Sequence, residues 1–119
     1  MYRVPRDLNL SKLDGQFTTQ ICIGPFDLQF SIGDVHFVIQ SEIKLKKNGE
    51  GIAVWKEGDW PSSEFYNVMN IDVESHHIPN DREIAITFKN GYSLHIYDNS
   101  DQYESMQIRI KGEDGLWVI

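Results

Sequence analysis

Residues 83–97 read EIAITFKNGYSLHIY, and this stretch decides the fold class of the chain. Two runs rich in β-branched and aromatic residues flank residues 89–91, whose Asn-Gly pair suits the positive φ angles of a tight turn. Side chains alternate between the two faces of a strand, so Ile84, Ile86 and Phe88 share one face. The stretch therefore predicts an antiparallel β-hairpin.

The same alternation continues on both sides of this hairpin. Residues 26–32 read FDLQFSI and end at Gly33, and residues 35–43 read VHFVIQSEI as one further strand. Asn48-Gly49 predicts a second tight turn. Further strands are expected at 16–23, 52–55, 71–78, 105–110 and 116–119. The pattern predicts a mainly β fold with antiparallel sheets of about 7–9 strands, forming a sandwich or a partly open barrel.

A single helix is predicted between the strands. Ser62 or Ser63 can cap it, and Phe65, Val68 and Met69 follow at helical spacing, so we expect a short helix over residues 62–69. A chain of 119 residues suits one continuous core. We therefore expect a single domain over residues 1–119.

Charge and hydropathy exclude several classes of function. The formal net charge is −7, which repels nucleic-acid backbones and favours cationic protein partners. The basic residues at 44–47 lead into a turn and indicate a solvated strand end. The chain has neither the apolar run of a signal peptide nor one long enough to cross a membrane, so a cytoplasmic protein is expected. Cys22 is the only cysteine and indicates a strand position without a disulfide.

The sequence contains no motif that predicts catalysis or a cofactor. His76 and His77 are adjacent, and adjacent strand residues point to opposite faces, so they do not predict a shared metal ion. No Gly-x-Ser-x-Gly elbow, glycine-rich phosphate loop or zinc-ligand spacing is present. We expect no enzyme activity, no cofactor and no metal.

The segment DNSDQYE at residues 98–104 is the most anionic polar stretch. It begins like a calcium loop, but it lacks the glycine and the distant glutamate of an EF-hand. One interpretation is a solvated connection, and the other is a docking loop for a cationic partner. Trp60 stands between Asp59 and Pro61 in a predicted loop, whereas the other tryptophans are expected in or beside the core. The candidate protein-binding residues are Asp98, Asp101, Tyr103, Glu104 and Trp60.

Four stretches also carry a resemblance to a known family. They are LDG at 13–15, QICIGPFDLQF at 20–30, IAITFKNGYSL at 84–94 and SDQYES at 100–105. With DQYE at 101–104 as the most recognisable part, the chain resembles a family of small bacterial all-β proteins of unknown function, and some members resemble toxin-immunity proteins. The resemblance implies a cytosolic protein that binds a cognate toxin and blocks it, but it transfers no residue role.

The leading hypothesis is a non-enzymatic protein-binding module, namely a bacterial immunity protein. It would neutralise a cognate toxin, which we expect to be a basic protein such as a nuclease, by occluding it. One alternative is a structural or assembly module that forms a homodimer through exposed strand edges. Another is a small-molecule-binding β domain with a pocket between sheet and helix.

Overall fold

Ten β-strands build the fold. The computed structural model describes residues 3–119 and shows two antiparallel sheets of five strands each. The strands are β1 Thr18–Ile23, β2 Leu28–Ile32, β3 Val35–Ile39, β4 Ile43–Lys47, β5 Glu50–Trp55, β6 Val73–Asn80, β7 Glu83–Phe88, β8 Tyr92–Tyr97, β9 Met106–Ile110 and β10 Trp117–Val118. The predicted mainly β, two-sheet architecture is confirmed, and the sheets do not close into a barrel.

The hairpin predicted from residues 83–97 is β7–β8 in the second sheet. Ile84 lies opposite Ile96, and Ile86 lies opposite Leu94, so one face of the hairpin is apolar. The first sheet has the order β1-β2-β3-β9-β10 and the second has the order β5-β4-β8-β7-β6. Alternate residues of both sheets are buried in one common hydrophobic core.

The strand predicted over residues 35–43 is in fact two strands in different sheets. The chain leaves the first sheet after Ile39 and enters the second at Ile43. Ser41 continues the inward-facing series and is buried, so the alternation persists through the crossing. This unbroken alternation explains why the sequence suggested one strand where the structure has two.

The predicted helix at 62–69 is a 3-10 helix over Ser63–Val68. The Ser62 hydroxyl accepts a hydrogen bond from the Glu64 amide at 3.3 Å and caps it. Phe65 and Val68 are buried, whereas Met69 is partly exposed. In a 3-10 helix, residues three apart lie on the same side. Phe65 and Val68 are therefore buried together although the helix is short. A second short 3-10 helix covers Ser11–Leu13.

The strand register divides the connections between two opposite ends of the sandwich. Ile39 pairs with Met106 and Leu28, while Ile43 pairs with Trp55 and Ile96. The five connections that begin or end beside these paired residues therefore lie at the same end of the sandwich. We name this the loop end, and it comprises residues 24–27, 40–42, 56–62, 81–82 and 98–105. The turn end comprises residues 33–34, 48–49, 89–91 and 111–116.

Within residues 3–119, no helix has the length and apolar character needed to span a membrane.

Candidate functional site

An open cleft of about 820 Å³ lies at the loop end, where the chain passes twice between the two sheets. The two crossings, 40–42 and 98–105, run side by side. The amides of Gln40 and Ser41 both donate to the Ser105 carbonyl oxygen, at 2.8 and 3.2 Å, and the Tyr97 amide donates to the Glu42 carbonyl at 3.0 Å. This backbone pairing joins the two crossings at the base of the cleft.

The 98–105 crossing is held from the side by Arg82, in the turn between β6 and β7. The guanidinium donates to the Asp98 carbonyl oxygen at 3.0 Å and also hydrogen-bonds the Asp101 carboxylate. The Asp98 amide donates back to the Arg82 carbonyl at 2.9 Å. Within the loop, the Ser100 hydroxyl accepts hydrogen bonds from the amides of Gln102 and Tyr103. The segment is therefore a largely solvent-exposed connection that side-chain hydrogen bonds hold to its own backbone and to Arg82.

Two of the predicted binding residues serve this internal structure. The Asp98 side chain is fully buried and its Oδ1 accepts a hydrogen bond from the Ser105 hydroxyl at 2.7 Å. Because burial closes it to a partner protein, Asp98 does not belong to the accessible surface that we had expected. Asp101 is exposed, but its carboxylate is shared by Arg82 and Arg3, so its charge is largely compensated within the chain.

The other three predicted residues are accessible at the loop end. Tyr103 is 73% exposed and lines the cleft. Glu104 also lines the cleft, and its Oε2 accepts a hydrogen bond from the Gln107 side chain at 2.8 Å. Trp60 is 85% exposed, which agrees with the prediction that it is the exposed tryptophan, since Trp55 is fully buried and Trp117 is half-buried. Trp60 lies on the 56–62 connection beside the cleft, not within it.

The structure adds three cleft residues that were not predicted from the sequence. Glu42 and Glu57 come from two other connections and bring their carboxylates to the cleft that Glu104 lines. Ser41 is buried and also lines the cleft, and its hydroxyl has no hydrogen-bond partner among residues 3–119. Thr18 Oγ1 and Asp98 Oδ2 are likewise buried without a partner, and such groups are rare because their desolvation is uncompensated. Of the three residues, Ser41 is the one that lines the cleft.

A second concave surface adjoins the cleft. This mainly apolar groove of about 360 Å³ runs between the β1–β2 turn and the 56–62 connection and is lined by Ile23, Gly24, Pro25, Gly58, Asp59 and Trp60. Lys56 and Glu57 line the cleft, and the next residue in the chain, Gly58, lines the groove. The two surfaces consequently meet at the Glu57–Gly58 peptide.

Negative charge is concentrated at the loop end. Its connections carry eight carboxylates but two cationic side chains, Lys56 and Arg82. The carboxylates belong to Asp27, Glu42, Glu57, Asp59, Asp81, Asp98, Asp101 and Glu104. The turn end carries three carboxylates and two lysines, namely Asp34, Glu113, Asp114, Lys89 and Lys111. Burial, followed by the carboxylates of Glu83 and Glu42, raises the pKa of Tyr97 above its ordinary value of 10.0.

A serine–histidine pair lies on the outer face of the first sheet. Ser31 Oγ and His36 Nδ1 are 2.7 Å apart, and His36 Nε2 is 3.1 Å from Gln29 Oε1. Gln29 Nε2 donates to Asp27 at 3.1 Å, so Gln29 Oε1 accepts from His36 and leaves Nδ1 to accept from Ser31. Burial, and then Arg109, lowers the pKa of His36 below 6.5 and favours this neutral ring. These side chains therefore hydrogen-bond one another in a polar row across β2 and β3.

The remaining histidines also have partners or exposed positions. His95 Nδ1 is 2.9 Å from Glu83, and His76 Nδ1 is 2.7 Å from Asp14. His77 is exposed, and its pairing with Ala85 places it on the outer face of the second sheet, whereas His76 pairs with the buried Ile86. Within the part of the chain that the structure describes, no three His, Cys, Asp or Glu side chains gather as a metal site.

The chain matches no protein-family model, no curated protein and no solved structure with which it was compared.

Proposed function

We propose that this chain is a protein-binding module that captures a cationic partner at the loop end. Three features of one surface support the proposal: the carboxylates of the cleft, the exposed Tyr103 and Trp60, and the Ser41 hydroxyl without a partner. Exposed aromatic side chains beside charged groups are typical of the residues that contribute most to protein interfaces. The concentration of carboxylates at one end is the observation that carries the proposal, since it would steer a basic protein to this end.

In its most specific form, the proposal is that the chain is an immunity protein that neutralises a cognate toxin. The family resemblance noted in the sequence motivates this step, and the charge distribution fits a basic toxin such as a nuclease. A nuclease binds phosphates with Lys and Arg side chains, so a surface rich in carboxylates can occupy the same groups. Neutralisation would then need occlusion only, with no chemistry by the immunity protein.

Growth rescue tests the immunity function. The protein encoded by the reading frame next to this one would be expressed alone and together with this chain. We expect growth arrest in the first case and rescue in the second, with a complex that survives gel filtration. The triple variant Glu42→Gln, Glu57→Gln, Glu104→Gln should lose most of the rescue, whereas the matched triple variant Asp34→Asn, Glu113→Gln, Asp114→Asn at the turn end should keep it. A neighbour that neither arrests growth nor binds this chain would contradict the immunity function.

A homodimer is the second candidate function, and the free edge of β5 favours it. Within residues 3–119 this strand pairs with β4 only, and it exposes the apolar side chains Ile52 and Val54. Unprotected edges of this kind pair readily with a second chain. Sedimentation velocity over a wide concentration range would show a monomer–dimer equilibrium, and Val54→Lys should shift it to monomer. A monomer at all concentrations would exclude this function.

A further inference from the structure

The cleft and the groove meet within one short stretch of chain. Glu57 lines the cleft and Gly58 lines the groove, and consecutive Cα atoms lie about 3.8 Å apart. Both surfaces open at the loop end, so one extended segment of a partner could reach both. Such a segment advances about 3.3 Å per residue, so four residues span roughly 13 Å, and we take this as the reach of a segment that contacts both surfaces.

The groove is suited to an apolar side chain. Ile23 and Pro25 form one side, and the Trp60 indole forms part of the other. Ile23 is 40% exposed and the neighbouring Phe26 is 64% exposed, so a considerable apolar area faces solvent here. A leucine, isoleucine or aromatic side chain from a partner would remove this area from water, and binding energy at interfaces is concentrated in such pockets.

The cleft is suited to a cation with several donors. Glu42, Glu57 and Glu104 offer acceptors, with Lys56 as the one cationic side chain of the lining. The Ser41 hydroxyl adds a buried oxygen without a partner, which an apolar guest would leave unsatisfied. A guanidinium has five N–H donors and an ammonium has three, and neither accepts hydrogen bonds. The cleft therefore favours an arginine or lysine side chain.

We propose that the loop end recognises a partner segment in which an arginine or lysine lies within four residues of a large apolar side chain. The cationic side chain binds in the cleft and the apolar side chain binds between Pro25 and Trp60. This inference rests on the function proposed above, and it specifies the chemistry of the partner segment. It makes Trp60 a specificity determinant, and it makes Ser41 a hydrogen-bonding partner of the bound cation.

Selection from a library of random 12-residue peptides displayed on phage tests the inference on the full chain. The most enriched peptides would be synthesised with a fluorescent label, and their Kd values would be measured by fluorescence anisotropy. We expect enriched peptides to carry Arg or Lys within four residues of Leu, Ile, Phe or Trp. Trp60→Ala should weaken binding by about tenfold, as should Glu57→Gln with Glu104→Gln.

Matched variants elsewhere serve as controls for the fold and for total charge. Tyr66→Ala removes another exposed aromatic side chain, and Asp34→Asn with Asp114→Asn removes two carboxylates at the turn end. Each should change the Kd by less than about twofold. Circular dichroism spectra should be the same for all variants.

Two results would overturn the inference, and they have different consequences for the proposed function. Enriched basic peptides that depend on the cleft carboxylates but not on Trp60 would refute the apolar contact and leave capture of a cationic partner intact. No enrichment, or enriched peptides insensitive to both sets of variants, would also refute the inference. Growth rescue in that case would still support the immunity function through a different surface.

Discussion

The two ends of the sandwich are held together in different ways. At the turn end, the tight turns at 48–49 and 89–91 are shaped mainly by the backbone: Asn48, Gly49 and Gly91 adopt positive φ angles, and the Asn48 amide donates to the Gly91 carbonyl at 2.9 Å. At the loop end, side chains reinforce the backbone pairing of the two crossings, with Arg82 and Asp98 as the main anchors.

This difference shows where a binding surface can form. The turn end also has an open concave surface, of about 680 Å³, but its lining carries two lysines, Lys46 and Lys89, and one carboxylate, Glu74. The loop end also has the buried Ser41 hydroxyl without a partner and the most exposed aromatic side chain, Trp60. Functional residues commonly lie on loops that a rigid scaffold positions. Recognition of a cationic partner is therefore expected at the loop end.

Replacing Trp55 should have the largest effect on this comparison. Its indole is fully buried at the end of β5, and its Nε1 donates to the Asp59 carbonyl at 2.9 Å, which fixes the start of the 56–62 connection. Trp55→Ala should lower the free energy of unfolding by about 3–5 kcal/mol, because it leaves a large cavity. Urea unfolding followed by far-UV circular dichroism measures this.

Trp60→Ala is the matched control, five residues further along the chain. Because Trp60 is 85% exposed, its loss should change the free energy of unfolding by no more than about 0.5 kcal/mol. Comparable losses for the two variants would show that Trp60 is a structural residue and would remove it from the binding surface.

Replacing Asp98 should have an intermediate effect. Asp98→Ala removes the acceptor of the Ser105 hydroxyl and a carboxylate whose Oδ2 lies 3.8 Å from Arg82. We expect a loss of about 1–3 kcal/mol in the free energy of unfolding, since buried donors lose their partners. Faster hydrogen exchange at the amides of residues 98–105 should accompany it.

Asp101→Ala, three residues away, separates a buried carboxylate from an exposed one. The Asp101 side chain is 70% exposed, so its ion pairs with Arg3 and Arg82 are screened by solvent. Its loss should cost at most about 1 kcal/mol. If Asp101→Ala destabilises the chain more than Asp98→Ala, the exposed ion pairs rather than the buried hydrogen bond hold the crossing.

The sequence predicted the strands well because alternation is a local signal. The β7–β8 hairpin, the 3-10 helix region and the exposure of Trp60 all follow from residues close together in the chain. The division of residues 35–43 between two sheets did not follow, because crossing from one sheet to the other preserved the alternation. One long strand and two consecutive short strands show the same alternation. Only the pairing of strands in the folded structure distinguishes them.

The cleft could be predicted only in part for the same reason. Glu42, Glu57 and Glu104 are far apart in sequence and meet because three connections end at the same edge. The burial of Asp98 depends on Arg82 and Ser105, which no local pattern links to it. One signal was present, since Ser41 is a polar residue in an otherwise apolar inward-facing series. A polar residue at such a position is a useful indication of a site.

Replacing a turn glycine should have a smaller effect than replacing Trp55 or Asp98. Gly91 has a φ of +89°, and a Cβ there would lie 2.5 Å from the Asn48 side-chain oxygen. That oxygen can rotate away, so the cost of Gly91→Ala is mainly backbone strain, about 1 kcal/mol in the free energy of unfolding. Gly51→Ala is the control, because Gly51 has neither a positive φ nor an atom within 4 Å of the added Cβ. Urea unfolding of both variants should separate them, and peptide binding at the loop end should be unchanged in each. If Gly91→Ala weakened that binding, the two ends would be coupled through the sheets, and recognition could not be assigned to the loop end alone.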